Sequence, residues 1–296
     1  MTTKAFPLFD LHCDTALELY LQQKSLAKND LQVDLARASQ LRCYRQVFAF
    51  CCVYDRQGRP LPQPEAERLF LEALQSFQAE LRGCNALPLL ALEGPEAIDC
   101  DPARLEWLYA QGFRMTTLTW NYRNALAGSC LSGEGLTAQG RDFVRKAQRL
   151  GIVLDVSHLS DRAFWDLVEI SEQPIVASHS NSRACCGNPR NLTDDQFRAI
   201  RDLGGLVGMN LYAPFLSESG CASFDDVRRH LDHWLSLDGG NTVALGGDLD
   251  GCDTLPQGFT GVDDYNRLGA YLIDRGLDDK QAELLFYGNA ARFFPQ

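Results

Sequence analysis

The sequence predicts an α/β fold of the (β/α)8, TIM-type barrel class in a single domain spanning residues 1–296. Three observations predict it. Eight short apolar runs alternate with segments of helical spacing, the pattern of parallel strands joined by crossover helices. The runs are continuous in apolar character, as suits strands buried on both faces. Finally, His12, Asp14, Glu93, His158, His179 and Asp248 fall just after runs one, three, five, six and eight. The carboxyl ends of strands are where ligands bind in this architecture. No solenoid-type repeat, low-complexity segment or composition shift marks a second domain.

The first run, 6–11, leads into Asp10-Leu11-His12-Cys13-Asp14. Residues i and i+2 of a strand share a face, so His12 and Asp14 point the same way and can offer a nitrogen and an oxygen to one zinc-type ion. Helices are expected over 15–24 and 34–41, the second capped by Asp34. Residues 46–53 form the second strand, 55–64 a proline-rich loop and 65–82 a long amphipathic helix. The third strand, 87–92, ends at Glu93-Gly94, a candidate ligand position; taken alone, that carboxylate would more often sit at a helix N-terminus. Residues 102–111 are helical, and 113–118 make a fourth strand leading into Thr119-Trp120-Asn121. The glycine- and serine-rich loop 122–136 could form a lid, and Thr137 caps a helix running to residue 150.

Runs 151–155 and 174–177 flank a helical segment, 160–172, and each is followed within three residues by a histidine, His158 or His179. Either one alone would be read as a hydrogen-bonded loop histidine. Two imidazoles at successive strand ends are aimed at one place and point to a metal site. A helix over 194–203, a seventh strand over 205–210 and a helix over 224–237 follow. The last of these carries His230 and His233, read as surface or half-buried residues. The eighth strand, 241–246, runs into Gly247-Asp248-Leu249-Asp250-Gly251, and helices over 262–275 and 278–285 close the chain.

A hydrophobic content of 45% with 23% charged residues is ordinary for a soluble globular protein, and a chain this long buries its core without disulfides. The net charge of -11, with no basic cluster to offset it, argues against nucleic acid and anionic membranes as partners. The N-terminal residues lack a signal-peptide run, and the most apolar run, 47–54, is far short of a membrane span. Eleven cysteines, an odd number with adjoining pairs and no C-x-x-C, are expected as buried free thiols in a reducing cytosol, hence a cytoplasmic location.

Three imidazoles with Asp14 and Glu93 are too many ligands for one tetrahedral zinc with an open position, but suit two metals sharing a carboxylate. Such a pair would acidify a bridging water to hydroxide and polarise a carbonyl. Asp248, free of a ligand role, could take that proton and deliver it to a leaving amine. Asp250 is its rival. The last inward-facing position of a strand is normally the earlier one, which favours Asp248.

The series DLHCDT, ALEG, LDVSHLS, PIVASHSNSRA, NPRNLTDDQ and ALGGDLDG, with YGNAARFF near the C-terminus, resembles the membrane (renal-type) dipeptidases, zinc hydrolases of the amidohydrolase superfamily. The resemblance implies a zinc-dependent dipeptidase with two zinc ions per chain. It implies that His12, Asp14 and Glu93 hold one ion, that Glu93, His158 and His179 hold the other, and that Glu93 bridges them. It further implies Asp248 as general acid/base, Arg190 as the grip on the substrate's C-terminal carboxylate, and a homodimer. Guanidinium is also the side chain best shaped for a bidentate carboxylate contact. One departure stands out: Trp120 occupies a position where the family has a histidine expected to contact the substrate carbonyl. Either Trp120 packs against the substrate, or carbonyl stabilisation rests on the metals alone. Two alternatives remain open. One is an amidohydrolase acting on another small amide or lactam; such relatives often bridge their metals with a carboxylated lysine on strand four, and no lysine lies near 114–120. The other is a catalytically silent barrel used for binding, which would be signalled by a missing ligand.

Overall fold

A computed structural model describes residues 5–55, 58–82 and 88–295. Within them eight parallel strands close a barrel in chain order: β1 (Pro7–Cys13), β2 (Cys43–Phe50), β3 (Leu89–Leu92), β4 (Phe113–Thr117), β5 (Val153–Asp155), β6 (Val176–Ala177), β7 (Leu206–Met209) and β8 (Val243–Leu245). Closure is made where Asp10 of β1 lies opposite Leu245 of β8. Leu87, in the expected third strand, lies outside the described residues, as do Arg56 and Gln57 of the proline-rich loop and residues 1–4 of the N-terminus.

The continuous apolar runs have a direct cause. Phe9, Leu11, Val47, Ala49, Ala91, Met115, Val176, Leu206 and Ala244 fill the barrel interior, while Leu8, Phe48, Phe50, Leu92 and Phe113 pack outward on the helices. Both faces of each strand are thus removed from water. β2 begins earlier than expected, at Cys43, because Arg45 hides a strand position: its guanidinium lies 4.3 Å over the Phe9 ring and Nη1 donates to the Phe294 carbonyl at 3.1 Å. A charged side chain with an apolar stem can cover a strand end in this way.

The helix starts follow from their caps. Asp34 accepts from the Arg37 amide at 2.8 Å, Thr137 from Gly140 at 3.0 Å and Ser160 from Ala163 at 3.0 Å. The expected helix over 102–111 opens as a 3-10 turn, Pro102–Arg104, before Leu105–Ala110. The last expected helix runs further: Asp279–Glu283 passes through a π-helical turn, Leu284–Gly288, into Asn289–Phe293. Ala290 and Phe294 then pack into the interior cluster with Phe9 and plug the amino end of the barrel.

Loop 122–136, which could form a lid, is tied to the segment after β5. Cys130 donates to the His158 carbonyl at 2.8 Å, Ser160 to Gly128 at 3.1 Å, and Ser129 bridges Leu159. The described cysteines are free; Cys43 and Cys221 are exposed, against the expectation of buried thiols, and the rest are buried or half-buried. Among the described residues no helix is long and apolar enough to cross a membrane.

Candidate active site

The carboxyl end of the barrel gathers the predicted residues. On β1 the even-numbered Leu8 packs outward and Asp10 meets Tyr265 of the helix Tyr265–Asp274, so unbroken alternation would send His12 outward too. It does not, because the register shifts: Asp10 pairs with Gln46 but Cys13 with Phe48, three steps on one strand against two on the other. This β-bulge turns His12 onto the barrel axis, where its ring lies 3.8 Å from that of His179. Asp14 follows just beyond the strand with its Oδ2 3.5 Å from His12 Nε2. The two share a target, but through a bulge and a turn rather than through regular pleating.

Glu93 lies between two sets of imidazoles. Its Oε2 is 3.4 Å from His12 Nε2, while its Oε1 is 2.9 Å from His158 Nε2 and 3.5 Å from His179 Nε2. The last two nitrogens face each other at 2.9 Å. His158 reaches this position with a left-handed backbone, φ 72°. Asp248, also left-handed at φ 59°, places Oδ1 3.9 Å from His12 Nε2 and accepts at Oδ2 from Asn210 Nδ2 at 2.9 Å. Asp250 has both oxygens engaged: it accepts from Thr15 Oγ1 at 2.5 Å and from the Gln32 amide at 2.6 Å, tying the segments after β1 to those after β8.

The electrostatics sort the rings. Burial, with the nearby Arg190 charge, pushes His158 down to about 4, and burial with the His12 charge holds His179 well below the usual imidazole value. Both are therefore neutral, the form that binds metals. Burial opposes charge on His12 as well, but the Glu93 and Asp14 carboxylates outweigh it and push His12 well above its ordinary value. Burial raises Asp14 to about 7 and also raises Asp248, against the pull of His12. A bound cation would reverse this order, since it would become the largest local charge.

These residues fit a metal. His12 Nε2 is buried without a hydrogen-bond partner. One donor atom each from His12, Glu93 and His179, and likewise from His12, Asp14 and Asp248, lie within 4.8 Å of one another. Those triads divide the residues differently from the sets the resemblance implies, with His158 joining through its 2.9 Å contacts. Two nitrogen ligands of a tetrahedral zinc, each about 2.0–2.1 Å from the ion, stand roughly 3.3 Å apart. The His158 and His179 Nε2 atoms, 2.9 Å apart, and the imidazole-to-Glu93 oxygen spacings of 2.9–3.5 Å lie around that value.

A cavity of about 450 Å³ opens over this cluster, walled by Tyr54, Trp120, Tyr212 and Phe215. Trp120 stands with its ring 6.1 Å from that of His158 and 4.3 Å from that of Tyr54. Arg190 is buried behind the wall, its guanidinium 5.3 Å from the Phe215 ring. It makes one long bond, Nη2 to the His179 carbonyl at 3.4 Å, and forms no ion pair with a described carboxylate, and its Nε is unpartnered. A cavity of similar size, about 400 Å³, lies at the amino end against Asn289, Arg292 and Phe293, but among the described residues no histidine or carboxylate lines it.

Sequence reasoning missed the supporting residues. Asn121 Oδ1 meets His158 Nδ1 at 2.9 Å, Asn210 holds Asp248, and Ser178 Oγ lies 2.7 Å from His179 Nδ1. Asn210 closes the expected seventh strand, so a polar residue at that strand's carboxyl end was the available signal. The reading of His230 as a surface or half-buried residue is also corrected: it is fully buried, accepting at Nδ1 from the Ser182 amide at 3.0 Å, with Nε2 3.0 Å from the Leu216 carbonyl. His233 is half-buried as expected and pairs with Asp194 at 2.7 Å.

Comparison with known proteins gives the same picture. The chain is 37% identical over 230 residues to an uncharacterized protein in the pqqA 5' region of Klebsiella pneumoniae, covering 72% of this chain and 84% of that one. It is 29% identical to dipeptidase 3 of Mus musculus, over 98% of this chain and 64% of that protein. Among solved structures it resembles a metallopeptidase from Rhodobacter sphaeroides liganded with a phosphinate mimic of the dipeptide L-Ala-D-Ala, with a TM-score of 0.87, 29% identity, and coverage of 97% of this chain and 98% of that one. The metallopeptidase described as dipeptidase AC gives 0.86, also at 29% identity, over 97% of each chain. The model of the membrane dipeptidase family, peptidase family M19, matches residues 77–296, and the chain belongs to that family of metal-dependent dipeptidases.

Proposed function

We propose that this chain hydrolyses the peptide bond of dipeptides using two zinc ions, one held by His12, Asp14 and Glu93 and the other by Glu93, His158 and His179. The observation that carries the reading is the split placement of Glu93, one oxygen toward His12 and the other toward His158 and His179. A carboxylate so placed serves as a shared ligand. When bound, the ions supply an acidified water as the attacking nucleophile and polarise the scissile carbonyl.

The chain's own residues do the rest. Asp248 takes the proton of the attacking water at Oδ1 and passes it to the departing amine, while Asn210 holds Oδ2 in place. Arg190, buried with spare donors and without a described anionic partner, binds the substrate's free carboxylate. Trp120 forms an aromatic wall beside His158 against which the substrate packs.

The test is metal content together with a substrate panel. Active protein should carry two zinc ions, lose activity on chelation and regain it with zinc. It should cleave members of an L,L-, L,D- and D,L-dipeptide set and neglect their C-terminal amides. Losing the charge-assisted contact to Arg190 should cost the amides about tenfold to a hundredfold in KM, equivalent to roughly 1.5–3 kcal/mol. One ion or none in active protein would overturn the dinuclear reading. Equal turnover of a dipeptide and its amide would remove Arg190 from substrate binding.

A further inference from the structure

Beneath the cluster of candidate metal ligands sits a buried polar pair that the proposed reaction does not use. Asp155, the last residue of β5, accepts from the amides of Ser157 at 2.9 Å and Ser178 at 3.0 Å through Oδ1. Its Oδ2 accepts from the Ser178 hydroxyl in a very short contact. The same hydroxyl oxygen lies 2.7 Å from His179 Nδ1 and 3.4 Å from His12 Nδ1. The main chain of Ser178 has little freedom, because a Cβ on Gly208 or Gly246 would come within 1.9 or 1.7 Å of its carbonyl oxygen. Only glycine lets β7 and the end of β8 close on it.

We propose that Asp155 and Ser178 are a positioning pair that sets which nitrogen of His179 and His12 carries the proton, so that a single hydroxyl orients one ligand of each ion. The inference rests on the assignment of His12 and His179 as ligands. Its logic is a count of hydrogens. A serine hydroxyl has one proton to give and two lone pairs to receive, whereas a carboxylate only receives. The proton of Ser178 goes to Asp155. Both lone pairs are then left for ring N–H groups, so His179 and His12 each donate from Nδ1. His179 consequently presents a bare Nε2 to the centre, and so does His12 in its neutral, ligand form; these nitrogens lie 3.5 and 3.4 Å from Glu93. Outer partners of this sort fix the tautomer and orientation of metal-binding histidines. What is unusual here is that the partner is shared between ligands assigned to different ions, so disturbing it disturbs both.

Asp155→Asn inverts the arrangement while conserving the number of bonds. The amide oxygen can keep the two backbone donors, but its NH2 now points at Ser178 Oγ. The hydroxyl proton must then turn toward a ring, which forces that ring's own proton onto Nε2. In zinc-free protein labelled with 15N-histidine, long-range 1H–15N correlation should show His179 as the Nδ1–H tautomer in the parent. In Asp155→Asn the Nε2–H form should gain population, and zinc affinity, measured by competition with a chelator, should fall about 10–100-fold at both ions. Ser178→Ala, which removes the acceptor without adding a donor, should give a mixture of tautomers and a smaller loss, and it serves if Asp155→Asn does not fold. Ser178→Thr, which restores the hydroxyl, should recover the parent tautomer. An Nε2–H tautomer for His179 in the parent would overturn the inference, as would unchanged tautomer and zinc affinity in the folded variants. A parent that binds no zinc would instead sink the metal assignment, while the zinc-free tautomer would still decide this one.

Discussion

The end of the barrel around β5 and β6 and the helix Phe224–Ser236 each contribute two histidines, and the two pairs differ in an instructive way. Burial alone does not separate them, since His233 is half-buried but His230 is as deeply buried as His179. What separates them is where their electron pairs go. His230 has its nitrogens matched by the Ser182 amide and the Leu216 carbonyl, and His233 is satisfied by Asp194. His158 and His179 turn their Nε2 atoms toward each other and toward a carboxylate, an arrangement that a cation makes favourable. The same contrast separates Asp248 from Asp250, both of which line the cavity: Asp248 is held by Asn210 at one oxygen and has the other 3.9 Å from His12 Nε2, whereas Asp250 has both oxygens tied down by Thr15 and Gln32. A functional polar group in this fold is one whose local bonds leave something over.

The largest effect should come from exchanging one histidine of each pair. His179→Ala should lower zinc affinity by more than the about 10–100-fold typical of losing an outer-shell partner, and abolish peptide cleavage. His230→Ala should leave zinc content at the parent level, although it strands the Ser182 amide. Elemental analysis of both purified variants checks this; zinc loss in His230→Ala would erase the distinction.

Next is the aspartate pair. Asp248→Asn should lower kcat by about 10²–10⁴-fold with both ions retained and KM within a few-fold, the usual scale of general acid–base transfer. Asp250→Asn should affect kcat much less. Similar kcat losses in the two variants would mean that proximity to the metal, and not proton transfer, explains the first.

The smallest effect is on stability. Burial pushes His230 down to about 4, below the ordinary value of 6.5 that it regains when unfolded. The unfolded chain therefore takes up the proton first as pH falls. The contribution of His230 is complete above pH 6.5, declines between 6.5 and 4, and is gone below. At about 1.4 kcal/mol per pH unit this amounts to roughly 2 kcal/mol by pH 5. His230→Gln, which keeps an acceptor for Ser182 but does not titrate, should flatten the fall in unfolding free energy between pH 7 and 5. Parallel curves for parent and variant would show that His230 titrates freely.

Much of this was readable from the sequence because the barrel repeats one rule. Two-sided burial makes each strand a continuous apolar run, and the polar residue that ends the run faces the site. His158, His179, Glu93 and Asp248 were found that way. The rule fails where geometry departs from regular pleating. The bulge in β1 leaves no residue signature, so His12 and Asp14 lie side by side for a reason other than the pleating argument that paired them. Arg45 concealed the start of β2 because its charge masks a side chain packed on Phe9. Partnership was equally hidden: nothing in the spacing of the helix 224–237 distinguishes His230, whose surroundings come from Ser182 and Leu216, residues distant in sequence.

The left-handed backbone at His158 and Asp248 has a consequence for anyone engineering this protein. A residue with a Cβ in that conformation is held against its own preference by about 1–2 kcal/mol, whereas glycine adopts it freely. A library screened only for higher melting temperature would therefore tend to enrich glycine at these two positions, trading the side chains proposed for the reaction against robustness. Selection for thermostability should hold residues 158 and 248 fixed, since glycine at either would remove a proposed metal ligand or the proposed acid/base from an otherwise well-folded barrel.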